Sequence, residues 1–192
     1  MDRHWLIWWT TYGSRVAGDA RGFVSNVAAV DGGREVRHNA PGTDCDRNMP
    51  RLERYVRDRM LDDPFELTIK QAEVVVGQFL ETTRIREFEL HAAAVMVDHT
   101  HLLVGVPGDP DPEHLRELYK SWATRALKKH WELPRSGTFF TKGGSVRKKA
   151  DETALTAAVI YVTREQPDPL VTYIGERWRA FVEDFDRTGR RA

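Results

Sequence analysis

Two histidines stand two residues apart in "VMVDHTHLLVGV" (residues 95–106), inside an otherwise apolar run. A strand sends alternate side chains to the same face, so His99 and His101 share a face with Leu103. Thr100, Leu102, Val104 and Val106 line the opposite, core-facing side. Two convergent imidazoles suit a divalent metal; the plainer alternative is a pair of solvated polar residues at a strand entrance. With seven histidines in 192 residues, such a pair arises by accident roughly 0.25 times per chain, so it needs partners elsewhere. A candidate lies in "AVIYVTREQPDPL" (residues 158–170). On a helix, Tyr161 and Glu165 are four apart and neighbours on one face. A tyrosine in that position is usually a boundary residue that packs its ring and hydrogen-bonds its hydroxyl; its chemical use is as a covalent nucleophile.

The elements that would position these residues are legible in outline. "HWLIWWTTYG" is short, aromatic and apolar on both alternating faces, which predicts a central strand. Residues 13–66, rich in Gly, Asp and Arg, read as a long insertion with one hairpin, of a length that is often functional. Thr68 and Gln71 stand at capping-box spacing before Ile69, Ala72, Val76 and Phe79, which predicts a helix. "REFELHAAAVMV" returns as a strand, and Val97-Asp98 turns the chain into the histidine segment. Asp111-Pro112 opens another helix, with Leu115, Leu118, Trp122 and Leu127 as its stripe and Trp122 and Trp131 read as core. "TFFTKGGSVRKK" predicts a strand or hairpin, and Asp151 caps a last helix that carries Tyr161 and stops before Pro167. The expected fold class is α+β: a ferredoxin-like βαββαβ antiparallel sheet with helices on one face, plus a C-terminal tyrosine-bearing helix, in a single domain over residues 1–192.

Together the two segments resemble a known family. "VMVDHTHLLVGV" is similar to the histidine-hydrophobe-histidine segment of the HUH single-strand DNA nucleases, in particular the bacterial insertion-sequence transposases and REP-associated tyrosine transposases. Their segment commonly reads M-P-N-H-V-H-L-L-V, and Met96 to Val104 follows it. "YVTREQ" resembles their tyrosine helix, which sets nucleophile and third metal ligand four apart. The resemblance covers roughly residues 86 to 172. Three departures stand out: Thr100 replaces a hydrophobic residue, Asp98 replaces a turn asparagine, and Glu165, not Gln166, follows Tyr161 by four. The resemblance implies Mg²⁺ or Mn²⁺ held by His99, His101 and Glu165, with Gln166 as the alternative third ligand, since a carboxylate binds either ion as well as an amide does. A phenol ionises near pH 10 and is a poor nucleophile at neutral pH, so the cation would assist Tyr161 at the scissile phosphate. The implied activity is transposition of single-stranded DNA through a 5′-phosphotyrosine intermediate, with DNA hairpins as landmarks. Some members exchange the tyrosine helix between subunits and others act as monomers, which leaves a helix-swapped homodimer and a monomer both open.

Charge distribution bears on the nucleic-acid expectation. The net charge is zero, from 29 basic and 29 acidic residues, which excludes a globally basic binder but not a basic face. From Arg116 to Lys149 there are ten Lys or Arg against Glu117 and Glu132. Arg116, Lys120, Arg125, Lys128, Lys129, Arg147, Lys148 and Lys149 are the expected phosphate contacts. The single Cys45 forms no intrachain disulfide and points to a reducing compartment. With no signal-peptide core and no stretch approaching a membrane span, the expected location is cytoplasmic. Three other readings compete: an HUH replication initiator or relaxase, a domesticated non-cleaving DNA-binding module, and a ferredoxin-like module for a small ligand. The short chain without a fused helicase favours the transposase over the first, keeping His99, His101 and Tyr161 together argues against the second, and the basic stretch counts against the third.

Overall fold

Aromatic and β-branched residues favour a pleated, packed surface, and the run "RHWLIWWT" forms strand β1 (Arg3–Thr10). The computed structural model describes residues 1–22, 26–27, 36–37 and 48–189. After β1 come a two-stranded ladder, β2 (Asn26–Val27) with β3 (Val36–Arg37), and a short helix α1 (Pro50–Arg57). The insertion thus holds the expected hairpin and an unexpected helix; "NAPGTD" and Cys45 lie outside the described residues. Helix α2 (Ile69–Ile85) starts on the full Thr68–Gln71 capping box. Strands β4 (Glu89–Val95) and β5 (His99–Val106) form a hairpin, and α3 (Pro112–Lys128) starts at the Asp111 cap with Pro112 in its first turn. Then follow β6 (Ser145–Lys149), α4 (Glu152–Arg164) capped by Asp151, β7 (Val171–Ile174), a 3₁₀ turn (Glu176–Trp178) and α5 (Arg179–Thr188).

The main sheet has the order β6-β1-β5-β4-β7, and every neighbouring pair is antiparallel. Its first four strands with α2 and α3 make the βαββαβ arrangement, to which β7 adds an outer strand beside β4. Both faces of the central strands are apolar, so both must be covered. On one face Trp5, Ile7, Trp9, Leu102 and Val104 pack against Phe79 of α2 and Leu115, Tyr119 and Leu127 of α3. On the other, Leu6, Ala92, Ala94 and Leu103 pack against Leu155, Val159 and Ile160 of α4 and Val182 of α5. Helices therefore lie on both faces, with the tyrosine-bearing helix alone with α5 on the second. The buried stripe of α3 runs through Tyr119 and Ala123 rather than Trp122, which is 38% exposed and lies under the Arg125 guanidinium. No helix among the described residues is long and apolar enough to cross a membrane.

The second face carries a polar inclusion at its far end. A bulge in β4 falls at His91, between Leu90 and Ala92, and turns this fully buried ring into the layer beneath α5. Trp178 Nε1 donates to His91 Nδ1 at 3.0 Å, so His91 carries its proton on Nε2, which donates to His4 Nδ1 at 2.9 Å. Gly105 leaves room for the pair: a Cβ there would stand 2.9 Å from His91 Nε2 and 3.0 Å from His4 Nδ1. Glu89 stands 3.5 Å from His91 Nδ1, and Arg177, paired with Glu152, stacks on Trp178. Burial, then the charges of His4, Arg177 and the N-terminus, pull His91 down from 6.5 to about 3. The fold thus keeps His91 neutral where the unfolded chain protonates it. Its contribution to stability is complete above about pH 6.5 and declines as pH falls toward about 3. Urea-unfolding free energies read by circular dichroism should fall across that window, and His91→Gln should flatten the slope. An unchanged slope in the variant would contradict this account.

Candidate functional site

The register of β5 on β1 sets Thr10 opposite His99, Trp8 opposite His101 and Leu6 opposite Leu103. Because strand side chains alternate, His99 and His101 share the face that α4 covers. Helix α4 lies across β4, β5 and β6, and its exposed Tyr161 turns toward the strand. The Tyr161 ring meets His101 edge-on, with centroids 5.3 Å apart and planes at 85°. His99 and His101 are likewise edge to face at 5.2 Å, and Trp8 lies 6.3 Å from His101. An open cleft of about 430 Å³ runs beside them, with Trp8, His101, Arg147, Lys149, Tyr161 and Glu165 in its walls. Tyr161 and His101 meet within one chain, so no second subunit is needed to bring them together.

The two imidazoles are held differently. Asp98 Oδ1 lies 2.5 Å from His99 Nδ1. Burial pushes the Asp98 carboxyl up, but the His99 hydrogen bond and the charges of Arg21 and Arg15 outweigh it and hold the group below its ordinary range. Asp98 is therefore an acceptor and His99 donates from Nδ1, which leaves Nε2 as the ring nitrogen that Asp98 does not engage. His101 is 4% exposed, and its Nδ1 is buried without a hydrogen-bond partner. Burial, then the charges of His99 and Arg15, draw His101 down to about 3, so it is a neutral, ligand-competent ring at ordinary pH. This pair fits a divalent cation: two imidazoles on one face, one orphaned nitrogen, and a carboxylate behind the other ring. Among the described residues, however, no group of three His, Cys, Asp or Glu is gathered to hold a metal.

Tyr161 sits in the last turn of α4, which ends at Arg164; Glu165 is the residue that closes the helix. Glu165 nonetheless lines the same cleft as Tyr161 and His101. Gln166 folds back and donates from Nε2 to the Tyr161 carbonyl at 2.9 Å, serving one of the open carbonyls of the helix end.

Of the expected phosphate contacts, only Arg147 and Lys149 reach the cleft. They pair with Leu6 and His4 on β1, whereas Lys148 pairs with Trp5 and emerges on the opposite face, 5.8 Å from the Trp5 ring. Burial, then the charge of Arg147, lowers the Lys149 pKa. Arg125 and Lys128 of α3 and Lys129 at its C-cap are exposed, in the layer across the sheet from Tyr161. Arg116 and Lys120, by contrast, are both buried and engaged within the fold. Lys120 Nζ donates to Glu117 Oε1 at 2.8 Å and to the carbonyls of Thr141 at 3.2 Å and Lys142 at 2.7 Å, which uses all three of its protons. Arg116 pairs with Glu113 and Glu117 and donates to the Gly144 carbonyl. Gly144 is a close-approach glycine, since a Cβ would lie 2.5 Å from the Trp8 carbonyl. Sequence reasoning missed Trp8 as a cleft wall and Asp98 as more than a turn; the available signal for Asp98 was an acid directly preceding an imidazole.

No protein-family model matches this chain, and no curated protein matches it. Among solved structures, it is similar to a REP-associated tyrosine transposase bound to a REP hairpin, at 12% identity and a TM-score of 0.42. The match covers 84% of this chain and 64% of that one, so this chain spans less than two thirds of its neighbour's length.

Proposed function

We propose that the protein cuts and rejoins single-stranded DNA, with Tyr161 as nucleophile, as an HUH-type transposase does. The observation that carries this reading is the packing of the Tyr161 ring on His101 in a cleft walled by Arg147 and Lys149. A nucleophile, imidazoles and two cations on one concave surface suit attack on a phosphodiester better than they suit a neutral small ligand. His99, His101 and Glu165, or Gln166 in its place, are the residues that would hold Mg²⁺ or Mn²⁺, which would supply charge neutralisation at the scissile phosphate. Arg147 and Lys149 bind the phosphates on either side and hold the strand along β6. The Tyr161 oxygen bonds to phosphorus as the bond from phosphorus to the 3′ oxygen breaks. The phenolic proton passes to water, and the departing oxygen takes up a proton as a free 3′ hydroxyl. The 5′ phosphate stays on Tyr161, so a second 3′ hydroxyl can displace it without an external energy source.

A non-cleaving DNA-binding module is the second reading, favoured by the lack, among the described residues, of a gathered three-residue ligand set. Labelled single-stranded DNA with a hairpin, incubated with the protein and Mn²⁺, separates the two. A denaturation-resistant adduct through the 5′ phosphate is expected, lost entirely in Tyr161→Phe while binding is retained. Adduct formation by Tyr161→Phe would sink the nucleophile assignment, and binding without any wild-type adduct would establish the non-cleaving module.

Strand alternation gives a second expected outcome. Each phosphate contact on a single strand contributes about 0.7 to the slope of log affinity against log salt. Arg147→Ala and Lys149→Ala should each lower that slope by about this amount, whereas Lys148→Ala, on the opposite face, should leave it unchanged. Equal effects at all three positions would mean that the strand does not follow the cleft.

A further inference from the structure

The segment "GDARG" (residues 18–22) reaches Asp98, the residue that precedes and hydrogen-bonds His99. Asp19 is buried and receives the Arg21 guanidinium through both oxygens, Nε to Oδ1 at 3.0 Å and Nη2 to Oδ2 at 2.7 Å. The Arg21 backbone N–H adds a third bond to Oδ1 at 2.9 Å, and Nη2 also donates to the Ser14 carbonyl. The remaining arm, Nη1, donates to Asp98 Oδ2 at 3.3 Å, while Asp98 Oδ1 faces His99 Nδ1 at 2.5 Å. The backbone of Asp98 is fixed as well, its carbonyl accepting from Thr11 N–H at 2.8 Å and Thr11 Oγ1 at 3.2 Å.

We propose that Asp19, Arg21 and Asp98 form a positioning relay that locks His99 into one orientation and one tautomer, with its proton on Nδ1 and its lone pair on Nε2. The relay concerns what His99 is prepared to bind, and so rests on the reading of His99 as a ligand of a divalent cation. A carboxylate between a guanidinium and an imidazole accepts from both, so its two oxygens cannot exchange roles without breaking an ion pair. A planar guanidinium can span two carboxylates, which a lysine ammonium at the same place does not reproduce. Arg21 is half exposed, and exposed ion pairs contribute little to stability. The same bonds fix the ring next to the cleft, where a carboxylate or other acceptor behind a ligating imidazole orients it and raises its basicity. His101 has no such partner on Nδ1, so the relay makes His99 the preset member of the pair.

The test uses metal-free full-length protein and reads the His99 ring by long-range proton–nitrogen NMR, followed by Mn²⁺ titration. Wild type should show a single Nδ1–H tautomer. Asp98→Ala and Arg21→Ala should show mixed tautomers, and Asp98→Asn, which keeps an acceptor oxygen, should recover most of the Nδ1–H form. Mn²⁺ dissociation constants should rise about 10-fold or more in Asp98→Ala and less in Arg21→Ala. A folded Arg21→Ala protein with the wild-type tautomer and Mn²⁺ affinity would overturn the relay. Should Arg21→Ala fail to fold, Arg21→Lys decides: a single tautomer there overturns the proposal, and a mixture supports it. If the tautomer responds to Arg21 but wild type binds no Mn²⁺, the relay stands and the metal reading fails.

Discussion

The register between β1 and β5 is the constraint from which the site follows. Strand side chains repeat every two residues, so a slip of one would send His99, His101 and Leu103 into the core beneath α2 and α3, and Thr100 and Leu102 under α4. The observed pairing is enforced from both sides, by Trp5, Ile7 and Trp9 in one core and Leu6 and Leu103 in the other. Packing of large apolar side chains therefore determines where two imidazoles emerge. The tyrosine is placed by the same layer, because Leu155, Val159 and Ile160 seat α4 on the face where the histidines lie.

That face carries two histidine pairs treated in opposite ways. At the far end, His91 has a partner on each nitrogen, Trp178 on one side and His4 on the other. At the cleft end, His101 keeps a buried nitrogen without a partner, and His99 is held on one nitrogen only. A buried polar atom without a partner costs free energy, and folds retain one mainly where it has a use. The contrast sets the two ends apart: one is a fastening for the C-terminal helix, the other lies beside the open cleft.

Local signals in the sequence carried much of this. The capping residues Thr68, Asp111 and Asp151 stand where their helices start, and the parity of His99 and His101 was readable without the fold. Tertiary placement was harder. A count of cations cannot tell Arg147 from Lys148 unless the strand's facing is known, nor reveal that Lys120 points inward. The acids Glu113 and Glu117, each three residues before Arg116 and Lys120, were the legible sign of that internal pairing. "GDARG" shows its contacts only once the chain has folded Arg21 against Asp98, 77 residues away in sequence. Strand β7 and the turn at Trp178 escaped notice because four residues carry too little periodicity to separate a strand from a loop.

Strand β6 ends the sheet, and among the described residues no strand lies on its outer side. An open edge offers unpaired backbone groups to any other extended chain, and lysines along such an edge discourage that pairing. Arg147, Lys148 and Lys149 therefore guard the molecule against stacking edge to edge with its own copies. Exchanging these residues for neutral ones would leave a sticky ribbon exposed. Two of the three, Arg147 and Lys149, also line the cleft, whereas Lys148 serves the edge from the opposite face.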